Sequence, residues 1–149
     1  MRWLWRHSIW YPGAVPVLER KYAGPLKWFV FPAFDIIMAV VGGRALFVGI
    51  PSIEALYPAG VAFAIYLAWF LLAVACFVGA VFPALWPFEI VGKGALFSVL
   101  LLYFIAMRAS PTTVDGAKDA VSGLLLAAML IPCLRLWILG IEERARRAA

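Results

Sequence analysis

From Ala59 to Phe82 the chain carries no charged residue at all. A helix of that length, at 1.5 Å per residue, covers the roughly 30 Å of hydrocarbon in a bilayer. A helix apolar on every side has no face to turn toward water. This stretch commits the chain to a membrane, and the rest is read with lipid as the solvent.

Three more runs match it, over about Trp28 to Ile50, Phe88 to Met107 and Ala117 to Ile141. The connections PSIEALYP, VFPALWPFE and ASPTTVDG hold the helix-stopping Pro51, Pro83 and Pro87 and the turn residues that reverse a chain. Composition agrees, since 66% of residues are hydrophobic and 14% charged, against about half and about a quarter in soluble domains. The expected fold is all-α: a polytopic membrane protein with four transmembrane helices in two hairpins, preceded by an interfacial N-terminal segment. Residues 1–27 form the arm, 28–141 the bundle (about 28–50, 59–82, 88–107 and 117–141), and 142–149 a basic tail.

The arm lacks the apolar core of a cleaved signal. Trp3, Trp5 and Trp10 instead alternate with Arg2, Arg6 and His7, and Pro12, Pro16 and Pro25 forbid a long helix. Indole rings favour the headgroup layer, so these three and Trp28 are read as interfacial anchors.

Lysine and arginine in short loops set orientation. One side receives Arg2, Arg6, Arg20, Lys21, Lys27, Lys93, Arg144, Arg146 and Arg147; the other receives Arg108 and Lys118. Both termini are therefore expected on the cytoplasmic side of a bacterial inner membrane. The chain has no Asn or Gln, and Arg exceeds Lys, a bias of GC-rich coding. The net charge of +5 sits at span ends, where it meets anionic lipid headgroups; nucleic acid is not an expected partner.

Charges inside spans are costly, at about 3 kcal/mol each on insertion scales, and each needs an account. Asp35 lies about 10 Å into the first span and Arg135 about 9 Å from the same face in the fourth. Lys93 enters the third span from that face as well. Matched depth predicts that Asp35 pairs with Arg135, with Lys93 the second candidate. Such a cluster reads either as an ion pair locking helix register or as a site for a proton, ion or lipid headgroup. Glu89 stands four residues before Lys93, the favourable order for a helix-start pair. Arg44 is nine residues from Asp35, which puts the two on opposite faces; it is expected to reach outward to Glu54 or to headgroups.

Ala39/Gly43, Ala45/Gly49, Ala64/Ala68 and Ala75/Gly79 have the small-xxx-small spacing that lets helices approach. Cys76 and Cys133 read as small buried hydrophobes within spans. A single histidine offers no multi-histidine metal site, the serines lack a His–Asp context, and no phosphate-binding glycine loop occurs. No catalytic residue, metal or cofactor is expected, and the chain is read as a non-enzyme.

Small size, four spans in tight hairpins, an aromatic-basic N-terminus and the tail EERARRAA resemble small four-helix membrane proteins of tailed phages infecting high-GC bacteria. Some of those are holins of lysis cassettes. The resemblance implies an oligomeric pore, or else an accessory subunit of a larger membrane complex, acting as a homo-oligomer or with partners. The alternative is a small transporter or a lipid- or proton-binding module built on Asp35, Lys93 and Arg135.

Overall fold

The computed structural model describes residues 7–11, 24–111 and 115–148. Trp3, Trp5 and most of the expected arm lie outside the described residues. Four helices are long and apolar enough to cross a membrane: α1 (Leu26–Val48), α2 (Ala59–Val81), α3 (Trp86–Ala109) and α4 (Asp115–Ala148), the last of membrane-spanning character over Lys118–Ile141. No strand occurs among the described residues. The chain is a multi-pass, all-α membrane protein.

Each boundary falls where backbone chemistry requires it. α1 opens as a π-helical turn over Leu26–Val30, where Phe31 donates to the Leu26 carbonyl. Pro32 follows at the start of the regular α-helix, where it withholds the donor that the Trp28 carbonyl would otherwise take. Gly49 ends the helix at φ 75° and ψ 173°, a mirror-image extended conformation that glycine adopts readily, and its N–H closes on Ala45 at 2.9 Å. A one-turn helix, Pro51–Glu54, and a 3₁₀ turn, Pro83–Leu85, make the two tight connections. α4 continues to Ala148, past the tail boundary expected at Ile141. The reason is local: EERARRAA is made of strong helix formers, and Glu142 and Glu143 each precede an arginine by four.

The helices pack in sequence order, α1 on α2, α2 on α3 and α3 on α4, while α1 only brushes α4. Buried positions recur every three or four residues: Phe31, Phe34, Asp35, Met38, Gly42 and Ala45 on α1, and Glu89, Gly92, Lys93, Leu96 and Leu100 on α3. One core joins Phe34, Trp69, Leu96 and Met129 across all four helices. A smaller one gathers Ala45, Ile53, Ala62, Tyr66 and Ala106 at the end where α2 begins. There the Tyr66 hydroxyl donates to the Ile50 carbonyl and accepts from the Ile50 N–H, at 3.3 and 2.9 Å.

The outer surface is apolar, with Phe47 90% and Leu124 72% exposed. Lipid tails solvate such residues as well as a protein core does, so fit and polar contacts hold the helices together. Cys133 is exposed on this surface, against the expectation of burial, while Cys76 is buried. The exposed Ser98 hydroxyl donates to the Gly94 carbonyl one turn back, satisfying it without water.

Candidate functional site

Three inward helical faces meet in the half of the bundle where α1 begins and α4 nears its end. α1 contributes Asp35, α3 contributes Glu89 and Lys93, and α4 contributes Arg135. Asp35 and Lys93 are 0% exposed, Glu89 1% and Arg135 7%. All four expected members of the polar cluster therefore lie in the protein interior.

The pairing differs from the expectation. Lys93 Nζ donates to Asp35 Oδ1. Arg135 grips Glu89 with two parallel bonds, Nε to Oε1 at 2.5 Å and Nη2 to Oε2 at 2.7 Å. Asp35 thus pairs with Lys93, the second candidate, and not with Arg135. Nor do Glu89 and Lys93 pair along their own helix. Depth fixes a residue's level but not the direction it faces, and α3 contacts α4 far more broadly than α1 does. A planar guanidinium matches a carboxylate bidentately, which favours Arg135 for Glu89 and leaves the point charge of Lys93 to Asp35.

Two aromatic rings, absent from the sequence expectation, complete the site. Lys93 Nζ lies 5.6 Å from the centroid of Phe34, and Arg135 Cζ lies 5.1 Å from that of Phe31. Both rings come from α1, one and four residues before Asp35, so a single helical face supplies one anion and two cation-facing rings. α2 supplies smallness. A Cβ on Gly79 would stand 2.8 Å from Glu89 Cβ, so the absent side chain lets α3 lie close enough to aim Glu89 inward. Cys76 seats against Gly92, where a Cβ would stand 2.8 Å from its sulfur. Of the small-xxx-small positions, Gly79 makes a close approach; on α1 it is Gly42, not Gly43, that sits tightest.

The network sums to zero charge. Asp35 Oδ2 is buried and has no hydrogen-bond partner among the described residues. Taking charges from water into a low-dielectric interior is expensive, and apolar residues of similar volume often hold a fold equally well or better. Ionisable groups at membrane depth are rare and face a bundle interior or pair with one another, which makes this cluster the candidate site. The arrangement has the chemistry to accept a proton or a small hydrogen-bond donor at Asp35.

At this end the segment 7–11 packs against the bundle. Ser8 and Ile9 are buried, and the Ile9 N–H donates to the Val81 carbonyl at the finish of α2, at 2.9 Å. Trp10 and Trp28 are both exposed, and Trp10 Nε1 donates to the Trp28 carbonyl at 3.1 Å. The opposite end holds Arg44, Glu54, Arg108 and Asp119. Arg108 and Asp119 join α3 to α4 at 2.6 Å, both exposed. Arg44 is exposed and does not pair with Glu54; the Glu54 carboxylate folds over Gly49, its Oε1 2.0 Å from where a Cβ would stand. No group of His, Cys, Asp and Glu among the described residues has metal-binding geometry.

Compared with known proteins, the chain matches no family model, no curated protein and no solved structure.

Proposed function

We propose that this small membrane protein works through its buried tetrad, with Asp35 as an exchangeable proton-binding carboxylate and Lys93 as its internal counter-ion. The observation that carries this is the open oxygen: Asp35 Oδ2 is enclosed and unbonded among the described residues, while Oδ1 holds Lys93. Protonating Asp35 weakens its hold on Lys93, and Glu89, one turn back on α3, offers that lysine a second carboxylate. The site therefore has two arrangements of one cation between two anions, the property a proton-responsive module needs. The test is infrared difference spectroscopy of the protein in vesicles as pH is stepped. A carboxylic-acid band should appear in the wild type and vanish in Asp35→Asn; a band unaffected by that substitution would overturn the reading.

A second reading, an oligomeric and holin-like pore or an accessory subunit of a larger complex, draws on α4. Gly116, Ala120, Gly123 and Ala127 are exposed at spacings of three and four, and nothing lies within 4 Å of where a Cβ on Gly116 or Gly123 would stand. Such a face admits a second helix closely. Oxidative cross-linking of Gly123→Cys into dimers, in a Cys133→Ala background, supports it; monomer alone counts against it.

The location that best fits the Lys and Arg distribution is a bacterial inner membrane with both termini cytoplasmic. A reporter active only in the cytoplasm, fused after Ala149, should be active. Silence there, with activity of a periplasmic reporter, would reverse the assignment.

A further inference from the structure

A second feature lies on the outer wall between α1 and α2, independent of the tetrad. Arg44 is exposed on the face of α1 opposite Asp35 and has no hydrogen bond or ion pair with any described residue. It heads an apolar groove of about 280 Å³ lined by Val40, Gly43, Phe70, Val74 and Phe77. Gly43 provides the floor: a Cβ there would lie 3.4 Å from the Phe70 ring, and any larger side chain would fill the groove.

The depth of Arg44 makes it unusual. A Cβ on Gly42 would stand 2.9 Å from the Phe70 backbone nitrogen, so the two helices are level there. Phe70 lies about 16 Å along α2 from Ala59, which leaves the Cα of Arg44 roughly 13 Å below the start of that helix. A guanidinium at such depth on a lipid-facing wall is costly unless an anion joins it, and its side chain snorkels toward the nearer headgroups. Among the described residues no carboxylate joins Arg44, and Glu54, the acid of the same end, is folded over Gly49. The acids in the four spans are Asp35, Glu89 and Asp119, and each is already bonded to a cation.

We infer that this groove binds one anionic phospholipid, its phosphate on Arg44 and an acyl chain along Val40, Val74 and Phe77. A zwitterionic lipid has the same phosphate but carries its own cation, so the site discriminates by net headgroup charge. The fit is of two chemistries in register: a single cation at the shallow end and a continuous apolar trough below it.

The test uses the full-length protein, purified, stripped of lipid and offered equal phosphatidylglycerol and phosphatidylcholine with matched chains. Native mass spectrometry counts what stays bound. The wild type should retain a single phosphatidylglycerol about five- to tenfold over phosphatidylcholine, the worth of one cation near a headgroup. Arg44→Gln should level the two, Arg44→Lys should keep the preference, and Gly43→Leu should lose both adducts by filling the trough. Equal retention by the wild type, or an unchanged preference in Arg44→Gln, overturns the inference. Should Arg44→Gln fail to fold, Gly43→Leu decides alone: a retained adduct overturns, a lost one supports. A dimer peak abolished by Gly43→Leu in place of a lipid adduct would assign the groove to a second copy and likewise overturn it.

Discussion

The indole of Trp10 donates to the carbonyl of Trp28 at 3.1 Å, a carbonyl whose α-helical donor is missing because the residue four positions on is Pro32. One residue takes away a donor and another, 18 positions before the carbonyl, replaces it. Trp10→Phe should therefore cost about 0.5–1.5 kcal/mol, the net worth of one hydrogen bond. In a Pro32→Ala background, where the helix regains its own donor, the same change should cost almost nothing. Unfolding in detergent, measured for the four variants, checks the cycle; additive effects would contradict it.

The tetrad makes a sharper demand. Asp35→Ala and Lys93→Ala should each destabilise the bundle by about 3–5 kcal/mol, and the double variant should recover much of the loss, because each single change strands a buried charge. Glu89→Ala and Arg135→Ala should behave alike. Coupling within each pair should exceed coupling between Asp35 and Arg135. Equal coupling across all pairs would mean that the ions do not pair as described.

Gly49→Ala meets two obstacles. Its φ of 75° with ψ 173° costs a β-carbon about 1–3 kcal/mol, and the Glu54 carboxylate occupies the space that carbon needs. Adding Glu54→Ala should remove the clash and leave the backbone strain. The double variant should therefore melt between Gly49→Ala and the wild type.

Gly79→Leu should drive α3 from α2, since even its first carbon would meet Glu89 Cβ at 2.8 Å. Overpacking of this kind costs about 1–3 kcal/mol. Coupling between Glu89 and Arg135 should fall with it, which a loss of stability elsewhere in the bundle would not cause.

Hydrophobic length alone called for four membrane-length helices, since lipid tolerates no exposed backbone and leaves few alternatives to a helix. The members of the tetrad were also legible, because a charge at membrane depth stands out against 66% hydrophobic residues. Their pairing was not. Helical rise places Asp35 and Arg135 at one level, but which helix stands between them is a tertiary fact. The roles of Phe31 and Phe34 were hidden among 11 phenylalanines. Their spacing before Asp35 was the available signal. The link from Trp10 to Trp28 had none, since an interfacial tryptophan reads the same whether or not its N–H meets a carbonyl.

Synthesis gives the ion pairs a time order. Asp35 is made 58 residues before Lys93, and Glu89 46 before Arg135. At about 5–20 residues per second, α1 emerges several seconds before its counter-ion exists. During that interval Asp35 has to wait near the headgroups or carry a proton. Unless Asp35 carries a proton, the first hairpin reaches its final depth only with α3, which ties the last steps of insertion to α1 and α3 together.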